Sequence, residues 1–296
     1  MKGIDVSSHN GNINWEAVKS SGVEVVIIKA TEGVDFIDSM VNQHYAGASS
    51  VGLNRGFYHF MSEKTDPHRQ AEDFYNCIKD KSYNCIPTLD IEVNNYGRSA
   101  SEITDRCLEF INRFKELSGQ DCMIYTGGYF GRDNLDSRIK CYPGWIAHYG
   151  VSSPMETGFR VVGHQYTETG RVPGVNGNVD VNNFNEGILL GNAVVVNNAT
   201  TQNALGKIAE LQAICGVAVD NVWGPITDNA VRNLPLAGLP YKTPELTIWI
   251  QLRLGLVPDG IFGTCTEQAV REWQSQHGLD VDGIAGYNTI KSLALA

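Results

Sequence analysis

No stretch of this sequence approaches the roughly 18–20 uninterrupted apolar residues that a membrane-spanning helix needs, so membrane insertion is not expected. Basic residues are scarce and scattered: 23 Lys and Arg stand against 33 Asp and Glu, a formal charge of −10, and no cationic cluster occurs. A nucleic-acid partner needs a basic stripe to replace phosphate counterions, which excludes that class. The seven cysteines are odd in number, lack CxxC spacing and sit mostly among apolar neighbours. They read as reduced core residues, and neither a metal nor a cofactor is expected. The start, Met1-Lys2-Gly3-Ile4-Asp5-Val6, enters a strand-like alternation at once, without the apolar core of a signal peptide. Synthesis in a cytosol is the expectation.

What is present suits a folded, turn-rich protein: 296 residues, 42% of them hydrophobic, with 31 glycines. That length allows one large α/β domain and a smaller partner. To about residue 185, short apolar runs alternate with longer mixed segments, the pattern of parallel strands joined by helical crossovers. Strands are expected at 3–7, 24–30, 55–60, 86–92, 122–127, 144–149, 161–167 and 178–182. Helices are clearest at 15–20, 68–79 and 102–117, the last following Ser99 and Ser101 as N-cap candidates and stopping at Ser118-Gly119. Eight strands fit an irregular (β/α) TIM-like barrel, because 150–160 and 168–177 are too short and glycine-rich for full helices.

Within Pro87-Thr88-Leu89-Asp90-Ile91-Glu92-Val93, two carboxylates stand two residues apart in an otherwise apolar strand pattern. Side chains at i and i+2 share a face, so Asp90 and Glu92 project together while Leu89, Ile91 and Val93 pack under helices. Paired acids in a partly desolvated site push their pKa values apart, leaving one protonated beside a charged neighbour, as glycoside cleavage requires. A carboxylate pair on an exposed strand edge, or one that binds a cation, would look the same in sequence. Asp5 on the first strand and Asp180 on the last alternate with apolar residues and should face the same barrel mouth, although a loop cap or an Asx turn would also use them. Four inward acids are costly without a function. Tyr58, Tyr125, Trp145 and Tyr149 lie on strands, placed either to stack on sugar rings or to pack in the core.

Several spaced motifs resemble glycoside hydrolase family 25, the Chalaropsis-type lysozymes. They are Asp5-Val6-Ser7-Ser8-His9-Asn10-Gly11, Ile27-Ile28-Lys29-Ala30-Thr31-Glu32-Gly33, Phe36-Ile37-Asp38, Gly56-Phe57-Tyr58-His59-Phe60 and Asp90-Ile91-Glu92. The resemblance covers about residues 1–190. It implies a barrel that hydrolyses the β-1,4 bond between N-acetylmuramic acid and N-acetylglucosamine, with Glu92 as general acid and Asp90 stabilising or orienting the reacting centre. Asp5 and Asp180 would complete the acidic floor. Whether Asp90 acts as nucleophile, activates water or steers the substrate's acetamido group stays open. His164-Gln165-Tyr166 departs from the Trp-Gln-Tyr of many members; Gln165 remains a substrate-binding candidate with the four aromatics.

Residues 191–204 turn abruptly small, polar and uncharged, an interdomain linker with a short strand at 194–196. Beyond it, Asp220/Gly224/Thr227, Asp259/Gly263/Thr266 and Asp282/Gly286/Thr289 recur at equal internal offsets, each before apolar residues at helical spacing. Asp bonding its own backbone and Gly at positive φ make a tight turn that opens a helix. Residues 205–296, most strongly 246–293, resemble the small helical peptidoglycan-binding module of wall hydrolases, with 205–240 as an extra, degenerate half-unit. The expected protein is therefore a catalytic barrel (1–190) tethered to an all-α wall-binding domain (205–296) and acting on Gram-positive peptidoglycan. The expected setting is a phage endolysin held in the host cytoplasm until release; a bacterial autolysin and a non-catalytic wall-binding protein are the alternatives.

Overall fold

The computed structural model describes residues 1–190, 206–238, 243–256, 258 and 260–296; the expected linker and its short strand lie outside the described residues. The chain divides into two compact units, Met1–Asn192 and Ala193–Ala296.

Among the described residues the first unit has nine strands: β1 (Lys2–Val6), β2 (Val25–Glu32), β3 (Phe36–Ile37), β4 (Asn54–Phe60), β5 (Thr88–Asp90), β6 (Met123–Gly127), β7 (Pro143–Ala147), β8 (Arg160–Gly170) and β9 (Val179–Phe184). They form one sheet in the order β1-β9-β8-β7-β6-β5-β4-β2-β3, and pairing of β1 with β2 closes the barrel. Each of the eight expected strands is present; β3 is an added two-residue arm on β2. One feature differs from the parallel expectation. The strand β9 runs antiparallel to both β8 and β1. Its connection from β8, residues 171–178, has room for a hairpin but not for a crossover helix of about a dozen residues.

The helices are α1 (Trp15–Ser20), α2 (Val41–Ser50), α3 (Pro67–Ile78), α4 (Ala100–Ser118) and α5 (Gly128–Asp133). For α4 the Ser99 hydroxyl accepts from the Glu102 N–H at 3.3 Å while the Glu102 carboxylate accepts from the Ser99 N–H at 2.8 Å, a reciprocal cap. Gly119, at φ +73°, ends that helix in the left-handed region.

Strand alternation sorts the core into two layers. Outward residues such as Ile4, Val26, Ile28, Leu89 and Ile124 bury against Phe74, Phe110 and Phe114 of α3 and α4. Inward residues Val25, Ile27, Met123, Tyr125, Trp145 and Phe184 fill the barrel. Phe184 fits only because the strands beside it carry glycine: a Cβ at Gly3 or Gly163 would lie 2.5 or 2.6 Å from its ring. This apolar plug leaves the inward positions nearer the mouth to polar side chains, the buried Asp5, Asp90, Gln165 and Asn182.

The second unit holds α6 (Lys207–Ile214), α7 (Pro225–Arg232), α8 (Pro244–Arg253), α9 (Thr264–Gln276) and α10 (Tyr287–Leu295). Its repeat is held by a buried glutamine. The Nε2 groups of Gln212, Gln251 and Gln274 donate to Thr227, Thr266 and Thr289 at 2.8, 3.1 and 3.1 Å, fifteen residues further on in each case. The Oε1 atoms accept from the backbone N–H of Asn221, Gly260 and Gly283 at 2.9–3.0 Å. The staple is complete in the first repeat too, so the described residues contain three turn–helix repeats; Gly224, Gly263 and Gly286 cap their helices at negative φ, and the positive φ expected of them falls instead on Asn221, Gly260 and Gly283.

Candidate active site

The four acids singled out in the sequence meet at one end of the barrel. Asp5 lies near the C-terminal end of β1 and is the direct cross-strand partner of Asp180. Because β9 is antiparallel, Asp180 reaches this mouth from the beginning of its strand. Asp90 is the last residue of β5, flanked in register by Phe60 and Tyr125. The strand expected to run through residue 92 stops here, so Glu92 stands just beyond it and is exposed, whereas Asp90 is 6% exposed.

Asp5 is the most firmly held. Its Oδ2 accepts from Gln165 Nε2 at 3.0 Å and from Asn182 Nδ2 at 2.8 Å. Behind these, Gln165 Oε1 accepts from the hydroxyls of Tyr125 and Tyr149, both at 2.8 Å, and Asn182 Oδ1 accepts from Trp145 Nε1 at 2.8 Å. Every amide is thus oriented with its nitrogen toward the carboxylate. Asp90 is held differently: its Oδ1 is buried and has no hydrogen-bond partner among the described residues.

Burial raises the pKa of all four acids. Asp5 is pushed up by desolvation, against the lowering effect of Asn182, Gln165 and Asp180. Desolvation, then the Asp5 charge and a hydrogen bond with Asp5, lifts Asp180 to about 8. Asp90 rises well above the carboxylate range through burial, with Glu92 and Asp5 adding to it. Glu92 also rises, through desolvation and then Asp5, but its exposure lets water screen the effect. The sequence pattern implies only that the two acids part in pKa; the structure places the stronger perturbation on the buried Asp90.

The aromatic candidates separate by depth. Tyr149 is 43% exposed at the mouth, and Tyr58 is half-buried with its phenol pushed well up by burial and by Asp5 and Asp90. Tyr125, 8% exposed, presents its hydroxyl to Gln165. Trp145 does not fit the stacking role expected of it. It is 2% exposed, packs edge-on against Tyr125 and Phe184 and donates to Asn182, so it supports the floor from beneath. His164, the departure from the common motif, is buried with Nε2 donating to the His148 carbonyl at 2.8 Å.

Two contributors were not singled out as site residues. Asn182 was visible only as a polar residue beside Asp180. Lys29, quoted only as part of a motif, pairs with Glu32 at 2.6 Å, and its charge opposes the rise of both Asp90 and Glu92. Its alternation on β2 was the available signal. Among the described residues, no group of three or more His, Cys, Asp or Glu is placed to hold a metal ion.

Comparison with known proteins gives two family matches: glycosyl hydrolases family 25 over residues 4–175 and a putative peptidoglycan binding domain over residues 250–293. The chain is 38% identical to the autolytic lysozyme of Clostridium acetobutylicum over 289 residues, covering 98% of this chain and 77% of that protein. A solved bacterial lysozyme from Streptomyces coelicolor is 35% identical with a TM-score of 0.57, covering 62% of this chain and 92% of its own. The solved CTP1L endolysin is 33% identical with a TM-score of 0.57, covering 63% and 67%.

Proposed function

This chain belongs to glycosyl hydrolases family 25, and we propose that it is a muramidase whose Glu92 protonates the oxygen leaving N-acetylmuramic acid. The observation that carries this reading is the convergence of Asp5, Asp90, Glu92 and Asp180 on one mouth, with a buried Asp90 oxygen that lacks a partner. An unsatisfied buried acceptor is costly, and a substrate acetamido N–H would satisfy it, which favours Asp90 as the group that orients the acetamide. Glu92, raised in pKa and open to the mouth, is placed to deliver a proton to a bound glycan. Asp5, fixed by Gln165 and Asn182, supplies the neighbouring charge.

The rim suits a sugar polymer. Among the described residues of this unit, the exposed large hydrophobics are Phe36, Ile37, Tyr96, Tyr129, Tyr149 and Val151. All lie in segments that follow the C-terminal ends of β2, β5, β6 and β7. Flat apolar faces around the acids are what stacking on pyranose rings needs.

The C-terminal unit is the wall anchor, which raises the effective concentration of an insoluble substrate without new catalytic contacts. The similarity to the CTP1L endolysin supports a phage lysis role, with the protein held in the host cytoplasm until the membrane opens. The full-length similarity to an autolytic lysozyme favours a cellular autolysin as the second reading. Relatives from Clostridium and Streptomyces support a Gram-positive wall as target.

Mass spectrometry of digested peptidoglycan tests the reaction: N-acetylmuramic acid at the new reducing ends is expected, and N-acetylglucosamine there, or no new ends, would refute it. Expression in a Gram-positive host with and without a membrane-permeabilising protein separates the settings. Lysis only after permeabilisation is the endolysin outcome, and spontaneous lysis is the autolysin outcome.

A further inference from the structure

The three repeats of the C-terminal unit can be read against one another, because each must keep the same glutamine staple while its other positions are free to differ. The residue three beyond each turn aspartate is an example. Phe262 and Ala285 hold that position in the second and third repeats, and both are buried in the core. In the first repeat the same position is Trp223, which is only partly buried and donates its indole N–H to Asp228 at 3.0 Å.

A second difference lies one turn further on. The second repeat carries Glu267 and Arg271 at i and i+4, and Arg271 then donates to the Val281 carbonyl at 2.9 Å, so its guanidinium is used to fasten the next repeat's turn. The first repeat carries the same spacing as Asp228 and Arg232, but Arg232 is turned elsewhere. It lies over the Tyr287 ring of α10 at 3.9 Å and donates to the Tyr287 hydroxyl at 2.8 Å. Tyr287 and Lys291, again at i and i+4, face it from that helix.

Asp228 organises the cluster. Its Oδ1 accepts from Trp223, from the Tyr287 hydroxyl at 2.6 Å and from Lys291 at 3.1 Å, while Oδ2 accepts from Arg232 at 2.9 Å. One carboxylate saturated in this way fixes two cations and leaves the cluster with one net positive charge. Its cations remain accessible, with side chains 56% exposed for Arg232 and 38% for Lys291. Exposed ion pairs contribute little to stability, and the repeats fold on their glutamine staples, so stability alone does not explain the arrangement. A positive, aromatic-lined and preorganised patch on a chain of charge −10 is a local exception.

We propose that Trp223, Asp228, Arg232, Tyr287 and Lys291 form a ligand site of the C-terminal domain that receives a carboxylate of the wall peptide. The proposal rests on the reading of this domain as the wall anchor and adds the chemistry of its ligand. A guanidinium held over an aromatic ring, with Nε on Asp228 and one N–H on the Tyr287 hydroxyl, keeps its remaining N–H donors in a fixed direction for a planar carboxylate, little side-chain freedom remains to be lost, and the tryptophan offers an apolar edge to an alanine-type methyl group. The site spans the first and third repeats, so it includes a segment outside the matched residues 250–293.

The experiment is calorimetric titration of the full chain with a purified disaccharide–peptide, which has no internal muramyl bond left to cut. Wild type should bind, and the double variant Arg232→Gln, Lys291→Met should bind at least about tenfold more weakly, as expected when charge-assisted bonds are lost. Its melting transitions and its rate on soluble wall fragments should be unchanged. Amidating the peptide carboxylates should weaken wild-type binding to the same degree. Equal binding by wild type and variant would overturn the site while leaving the wall anchor standing. A wild-type chain that binds neither the disaccharide–peptide nor whole walls would remove the anchor reading, and the proposal with it. The other anionic wall group is a phosphodiester: if a soluble glycerol phosphate polymer binds through these residues and the peptide does not, the carboxylate assignment is overturned.

Discussion

Replacing Gln165 by leucine, which is similar in size and has no polar atoms, removes the centre of the hydrogen-bond network without opening a large cavity. Asp5 loses the donor at 3.0 Å and keeps Asn182. A hydrogen bond to a charged group contributes about 1.5–3 kcal/mol, and about 1.4 kcal/mol corresponds to one pKa unit. The Asp5 pKa, already raised by burial, should therefore rise by roughly one to two units more. Activity should follow a bell in pH, with the acidic limb reporting protonation of the charged partners of Glu92. That limb should move upward by about the same one to two units. The buried Tyr125 hydroxyl would also lose its acceptor, at a cost of about 1–3 kcal/mol, whereas Tyr149 is exposed enough for water to replace the bond. For a domain of this size, that lowers the barrel's Tm by several degrees. The assay is reducing-end release from soluble wall fragments as a function of pH, with Tyr149→Phe as the comparison. That variant removes one bond to Gln165 and leaves both Asp5 donors in place, so its acidic limb should not move. A folded Gln165→Leu protein whose acidic limb stays put or shifts downward would refute the assignment of Asp5 as a charge set by this network.

Three further outcomes are expected. Glu92→Gln should cut turnover by on the order of 10²–10⁴ while the melting temperature holds; near-normal wall clearing would mean that another group is the acid. Asp180 holds its proton to about 8 in the folded chain but ionises in the ordinary carboxylate range when unfolded. Its contribution to stability is thus complete at acid pH and is lost as pH rises toward and through 8. Asp180→Asn, which cannot ionise, should accordingly melt higher than wild type above pH 8, and calorimetry showing it less stable there would sink the argument. Cutting the chain between residues 192 and 204 should give a barrel that still cleaves soluble fragments but clears whole walls poorly, and a C-terminal piece that sediments with walls; a C-terminal piece left in the supernatant would remove the targeting role.

The barrel strands were legible because both of their faces are constrained, by helices outside and by the apolar plug within. The alternation of Val25, Val26, Ile27 and Ile28 records this, the odd members filling the barrel and the even ones the helix layer. The direction of β9 left no such trace, since period-two alternation reads the same both ways and only the length of 171–178 distinguishes a hairpin from a crossover. The helix α2 was also missed. Its small polar residues give a weak apolar stripe, and Gly47 is there because a Cβ would lie 2.0 Å from Trp15, a contact between segments far apart in the chain. In the site, parity identified which side chains point inward but not how deep they lie. Trp145 and Tyr149 both appear as strand aromatics, yet one is sealed beneath Asn182 and the other opens on the mouth.

The C-terminal domain shows the opposite limit. Its turn residues Asp, Gly and Thr were visible because three equal offsets within a few residues are hard to produce by accident. The glutamines that hold those turns were not aligned as a set, since Gln274 stands near the end of a polar helix where a solvated side chain is the ordinary reading. Once Gln212, Gln251 and Gln274 are superimposed, the copies supply a comparison that a single-copy domain cannot. Positions that agree in all three serve the shared turn, and those that differ are released from it. Trp223 and Arg232 differ from their counterparts in the bonds they make: Trp223, still packed against the core, adds a bond to Asp228, and Arg232 exchanges a neighbouring turn for Tyr287. Both changes converge on the same few ångströms of surface, and relaxed constraint on the fold alone would not require two separate departures to meet there.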